Sequence, residues 1–162
     1  MSRLTRDEWA MQLAQLTAKR STCCRRAVGC VLLNEKGHVI ATGYNGVAAG
    51  LPHCNEKRSD LVETFDPQAD TYPNACAGAN APSGQNLDAC QAIHAEQNAM
   101  LQCKNVYEIH TAYVTASPCI TCTKLLLNTS CERIVFVEEY PHGHTKDLWE
   151  SARREWSRFD LV

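Results

Sequence analysis

No stretch of this 162-residue chain is long and apolar enough to read as a transmembrane helix. Its opening residues, Met1-Ser2-Arg3-Leu4-Thr5-Arg6-Asp7-Glu8, contain no apolar core of the kind a secretory signal needs. A soluble, cytoplasmic protein without a membrane partner is therefore expected. A surplus of positive charge is missing too: 16 Lys and Arg stand against 18 Asp and Glu, a formal net charge of −2. That balance offers no electrostatic footprint for duplex DNA or RNA and argues against a nucleic-acid partner. A small anion needs only one or two well-placed cations, so it stays open. The chain also lacks internal repeats and low-complexity tracts. With 44% hydrophobic residues it can bury a proper core, and residues 1–162 read as a single domain.

Cysteine, by contrast, is plentiful, with ten in the chain. In a cytosolic setting, clustered cysteines point to metal ligands or catalytic groups in preference to disulfides. Cys30, Cys103 and Cys131 lie in apolar runs and read as small core residues. Two short strings carry the chemistry: His94-Ala95-Glu96 and Pro118-Cys119-Ile120-Thr121-Cys122. An imidazole and two thiolates suit Zn²⁺, and three protein ligands leave a fourth position for water. Glu96 is then a carboxylate with no need to bind the metal, placed to move a proton.

Helical and strand periodicities locate these strings. Thr5-Arg6-Asp7-Glu8 has the capping-box form, with Trp9, Leu13 and Leu16 following at helical spacing, which predicts a helix over 6–19. Residues 27–33 and 39–42, separated by the turn Asn34-Glu35-Lys36-Gly37, predict a hairpin. Residues 43–90 are rich in Gly, Pro, Asn, Asp and Ala, with prolines at 52, 67, 73 and 82. A loop of that length inside one domain needs something to tie it down, and Cys54, Cys76 and Cys90 within it point to a metal clip. Beyond it the pattern predicts a helix over 92–103, a strand over 112–115, a helix over 119–128, a strand over 133–138 and a final helix over 145–156. This alternation predicts an α/β sheet sandwiched between helices. His94 and the Cys119/Cys122 pair then sit at helix beginnings, where partial positive charge favours thiolate, and Pro118 suits a helix entry. His38 and His110 read as surface residues, and the Pro141-His142-Gly143-His144 turn as a solvated loop, with an approach to the phosphate or a metal as its alternative. Arg153, Arg154 and Arg158 read as a solvated, mixed-charge face.

In this order and separation, the two strings resemble the zinc-dependent cytidine/deoxycytidylate deaminase superfamily. Ser21-Thr22-Cys23-Cys24-Arg25-Arg26, Gly43-Tyr44-Asn45-Gly46, Leu51-Pro52-His53-Cys54 and the string from Cys90 to Ala99 are similar to the deoxycytidylate deaminase branch, specifically the form with a cysteine-rich insertion. The resemblance implies a three-layer α-β-α sandwich with a mixed central sheet. It implies hydrolysis of dCMP to dUMP and ammonia by a zinc-activated water, with His94, Cys119 and Cys122 as ligands and Glu96 as proton shuttle. Arg26 is the implied phosphate contact and Asn45 the sugar contact. Backbone groups of Thr115, Ala116 and Ser117 are implied to orient the pyrimidine, and Tyr140 to lie near the nucleotide.

The resemblance further implies a second, structural zinc on some or all of Cys23, Cys54, Cys76 and Cys90, with Cys24 or His53 able to replace a neighbour. It also implies a homo-oligomer, most often a hexamer, activated by dCTP with Mg²⁺ and inhibited by dTTP. Asn45 and Gly46 border the implied effector site. Two other readings stay open on sequence: a cytidine or deoxycytidine deaminase of the same superfamily, and a non-catalytic zinc-stabilised nucleotide-binding module.

Overall fold

The computed structural model describes residues 2–56, 76, 78–79, 81–82, 84–85, 89–140 and 143–161. Pro67, Pro73 and His142 lie outside the described residues. The elements run α1 (Arg6–Ala18), β1 (Gly29–Leu33), β2 (Val39–Tyr44), β3 (Gly46–Val47), β4 (Ala92–Ile93), α2 (Ala95–Gln102), a 3₁₀ turn (Val106–Glu108), β5 (Thr111–Ala116), α3 (Ile120–Leu127), β6 (Arg133–Glu138), α4 (Gly143–Ser151) and β7 (Glu155–Arg158). Five strands form one sheet in the order β2-β1-β5-β6-β7. The β1 strand pairs antiparallel with both β2 and β5, whereas β5, β6 and β7 run parallel. The sheet is mixed, as the family resemblance implied.

Strand alternation divides the core into two layers. Cys30, Leu32, Ala112, Val114, Ile134 and Phe136 face α2, α3 and α4. Val31, Leu33, Tyr113 and Val135 face Ala10, Met11 and Ala14 of α1. The result is a three-layer α-β-α sandwich. Cys30 and Cys131 are fully buried core residues, as their apolar settings predicted. Cys103 differs: it is only half-buried, closes the C-terminus of α2 and donates to Asn105 O at 3.3 Å.

Two predicted helices change at their ends. Residues 92–93 belong to a short strand paired with Gly46–Val47, and helix α2 starts only after His94. The final helix stops at Ser151, and residues 155–158 add a fifth strand beside β6. The stop comes from Arg153, which adopts φ 59°, a left-handed conformation usually left to glycine. Its reward is the placement of Arg154. That guanidinium donates to Cys131 O at 2.7 Å and Leu127 O at 2.9 Å, and it lies 5.2 Å from the centroid of the Trp149 ring. Arg154 thus caps the carbonyl end of α3; it is not part of a solvated face.

A charged cluster ties the first helix to the sheet. Arg133 makes a two-pronged pair with Asp7, 2.8 Å on each prong, and the Tyr113 hydroxyl donates to the same carboxylate at 2.6 Å. The Arg133 guanidinium holds the Asp7 carboxyl below its usual range. A depressed carboxyl stabilises the fold above its unfolded pKa and loses that contribution as pH falls through its folded value. Asp7→Asn is therefore expected to cost about 1–2 kcal/mol at pH 7, with water screening this partly exposed pair. Urea midpoints measured for both proteins at pH 7 and again near pH 3 should show the gap closing with acid.

Candidate metal and active site

Helix α2 begins on a histidine where Ser or Asp would be usual. Gln97 supplies the missing cap, accepting from the His94 backbone N–H at 2.9 Å. The imidazole is left to face the sulfurs of Cys119 and Cys122. Cys119 holds the corresponding N-cap position on α3, its sulfur accepting from Cys122 N at 3.5 Å. Two helix N-termini therefore meet, one delivered by the β3–β4 pair and the other by the carboxyl end of β5. Close packing fixes α2: a Cβ on Gly43 would lie 2.3 Å from Ala95 O, and Asn98 donates to Tyr44 O at 2.8 Å.

His94 Nδ1 is 3.5 Å from Cys119 Sγ and 3.5 Å from Cys122 Sγ. Among the described residues, this is the one group of three donors whose ligand atoms all lie within 4.8 Å of one another. A tetrahedral ion with bonds of about 2.3 Å to sulfur and 2.0–2.1 Å to nitrogen requires an N···S edge of about 3.5 Å. The donor set and its spacing fit Zn²⁺. Its electrostatics agree: a hydrogen bond from Cys122, followed by one from His94, holds the Cys119 thiol down to about 3. His94 is raised, foremost by its hydrogen bond to Cys119. Cys122 is raised by its hydrogen bond to Cys119 and by burial. Glu96 is 4% exposed, and burial pushes its carboxyl up to about 7.

His94, Glu96 and Cys119 form the floor of a cleft of about 730 Å³, open mouth included, with Cys122 buried behind it. Ala116, Ser117 and Tyr140 line its wall, and Arg25 and Arg26 stand at its rim. The cleft thus combines a three-donor metal site, a buried carboxyl beside it and two cations.

The match to a family model is equally direct. Residues 4–138 fit the cytidine and deoxycytidylate deaminase zinc-binding region. The chain belongs to this family. It is 34% identical over 151 residues to the deoxycytidylate deaminase of Schizosaccharomyces pombe, covering 90% of this chain but only 41% of that protein. It is 35% identical over 144 residues to the deoxycytidylate deaminase of Mycobacterium phage D29, covering 86% of this chain and 99% of that one. In fold it resembles the dCMP deaminase of cyanophage S-TIM5 solved with dCMP and dUMP, with a TM-score of 0.68, 22% identity and coverage of 98% and 100% of the two chains.

The other sequence-derived site residues divide. Asn45 lines the cleft, but its amide is engaged: Oδ1 accepts from Val28 N at 2.8 Å and Nδ2 donates to Arg26 O at 2.7 Å. It holds in place the irregular segment before β1 that carries Arg26. Thr115 is not among the residues lining the cleft, and its hydroxyl accepts from Gly29 N at 3.1 Å. Ser117 accepts from Tyr140 N at 2.6 Å, fixing the wall. Gly46 pairs with Ile93, the residue before His94. Arg25, to which the sequence assigned no role, also reaches the rim and donates to Gln85 O and, at 3.4 Å, to Gly78 O.

Of the insertion cysteines, Cys54 and Cys76 are buried and pack with Cys90. Cys54 exchanges side-chain hydrogen bonds with Cys24 and Cys76, and Cys76 with Cys90. Cys23 lines the cleft, as does Cys90. Burial lifts Cys54 to about 12. Cys76 is lowered, because hydrogen bonds from the Gln91 and Gly78 backbones outweigh its burial. Cys24, noted on sequence as able to replace a neighbour, is thus a hydrogen-bond partner of Cys54.

Proposed function

We propose that this chain is a zinc-dependent deoxycytidylate deaminase, converting dCMP and water to dUMP and ammonia. The observation that carries the reading is the His94–Cys119–Cys122 triangle with buried Glu96 beside it, under a rim bearing Arg25 and Arg26. Relatives named deoxycytidylate deaminase, one of them matched over nearly its whole length, support the choice of substrate. His94 Nδ1, Cys119 Sγ and Cys122 Sγ would hold Zn²⁺, which would supply Lewis acidity and make a water easier to deprotonate near neutral pH. The Glu96 carboxylate accepts a proton as water adds to C4 of the pyrimidine, delivers it to ring N3, and then assists the departing amino group. Ala116 and Ser117 flank the ring, Tyr140 packs along the nucleotide, and Arg26 meets the 5′-phosphate as a charge-assisted donor. A nucleoside would leave Arg26 without a partner in the substrate, which favours the monophosphate over deoxycytidine.

Ammonia release from dCMP, deoxycytidine, cytidine, CMP and dCTP tests this. Arg–phosphate hydrogen bonds favour dCMP over deoxycytidine in kcat/KM by roughly 10- to 100-fold. A preference for deoxycytidine would make the chain a nucleoside deaminase, and no release at all would make it a binding module.

The same reading extends to a second zinc held by Cys54, Cys76, Cys90 and Cys24. It also includes a hexamer activated by dCTP with Mg²⁺ and inhibited by dTTP, in a reducing, cytoplasmic compartment that keeps ligand thiols free. The β3–β4 pair gives an effector near Asn45 and Gly46 a route to His94. Hyperbolic dCMP saturation, unmoved by either triphosphate, would remove the regulatory part.

A further inference from the structure

The two rim arginines differ in what they hold. Among the described residues, Arg25 donates to backbone carbonyls of the insertion, neutral groups that do not compensate its charge. Arg26 pairs with the Glu138 carboxylate and lies 5.4 Å from the centroid of the Tyr140 ring. The pair is lopsided: the Arg26 side chain is 26% exposed and that of Glu138 69%. Glu138 can swing into water at little cost, whereas Arg26 stays fixed by Tyr140 and by the Asn45 clasp on its carbonyl. Glu138 ends β6 two residues before Tyr140, so it sits beside the cleft it would affect.

From this geometry we propose that Glu138 is a specificity-tuning residue, an internal anion that occupies Arg26 until a 5′-phosphate displaces it. The inference rests on the deaminase reading and adds a competitor to it. An exposed ion pair is weak, and a phosphate dianion on a guanidinium is stronger, so the exchange proceeds. It still weakens phosphate binding by the strength of the pair that is lost. Because dUMP carries the same phosphate as dCMP, substrate and product are weakened together, and Glu138 speeds release by returning to Arg26.

The test compares the wild type, Glu138→Gln, Glu139→Gln, Arg26→Gln and the Arg26→Gln/Glu138→Gln double variant. KM for dCMP and the inhibition constants of dUMP and deoxyuridine are measured for each. Glu138→Gln should lower KM for dCMP and the constant for dUMP by the same factor, roughly two- to fivefold for an exposed pair. Deoxyuridine should not move. Glu139→Gln, with the same change in net charge, should leave all three constants in place. In the Arg26→Gln background, Glu138→Gln should have no further effect. Equal shifts for deoxyuridine, a raised KM, or the full effect without Arg26 would each overturn the proposal. A wild-type protein that does not deaminate dCMP would instead overturn the underlying activity, and dUMP binding would still report on Glu138.

Discussion

Glu96→Gln is expected to fold, to bind as much zinc as the wild type, and to lose dCMP deamination by roughly 10³- to 10⁴-fold in kcat. The substitution keeps the size and one oxygen of a buried side chain, so neither a cavity nor a shifted helix explains the loss. It removes the group that accepts a proton and returns it. Both His94 and Cys119 cap their helices through neighbours other than Glu96: Gln97 holds the His94 N–H, and the Cys119 sulfur takes the Cys122 N–H. Zinc content is therefore the decisive control. An inactive variant with full zinc assigns Glu96 to the chemistry. An inactive variant without zinc assigns it to assembly of the site, and activity within tenfold of wild type moves proton transfer to another group.

The metal triangle was legible because its residues sit where backbone rules put them. A histidine and a Pro-Cys string before two helical runs mark two N-termini, one delivered by the short antiparallel β3–β4 pair and the other by the carboxyl end of β5. The layering of Val31 against Leu32, or Tyr113 against Val114, follows from strand alternation in the same way. The last strand was hidden by Arg153. Nothing in an arginine announces a left-handed turn, so Glu150 to Trp156 reads as a continued helix until β6 offers Trp156 a partner strand. Asn45 and Thr115 were hidden differently. Their side chains bond the backbone, Asn45 to Val28 and Arg26 and Thr115 to Gly29, and no local sequence pattern announces such contacts. The doublet Cys23-Cys24 is a third case. Adjacent residues in an irregular segment point in different directions, and sequence cannot say which one faces the insertion.

That doublet gives the second large expected effect. Purified in the presence of zinc, the protein should carry two ions per chain, and Cys54→Ser or Cys24→Ser should reduce this to one, while Cys23→Ser keeps both. Cys24, Cys54, Cys76 and Cys90 form a line of neighbouring sulfurs, although no three of them draw as close together as His94, Cys119 and Cys122. An ion that pulled them into a tetrahedron would turn thiols that burial keeps protonated, Cys54 above all, into thiolates whose charge the metal neutralises. It would fasten the insertion at Cys54 and Cys76 to the start of the chain at Cys24 and to the approach to α2 at Cys90. The energy at stake is large: structural zinc contributes on the order of 10 kcal/mol in small domains, more than the whole stability of many folds. Loss of that ion should therefore lower the melting temperature by at least about 10 °C. It should also slacken the Arg25 contacts to Gly78 and Gln85, raising KM for dCMP before kcat falls. One zinc per chain in the wild type, with Cys54→Ser unchanged in melting temperature, would leave these cysteines as core thiols and the insertion held by packing and hydrogen bonds alone.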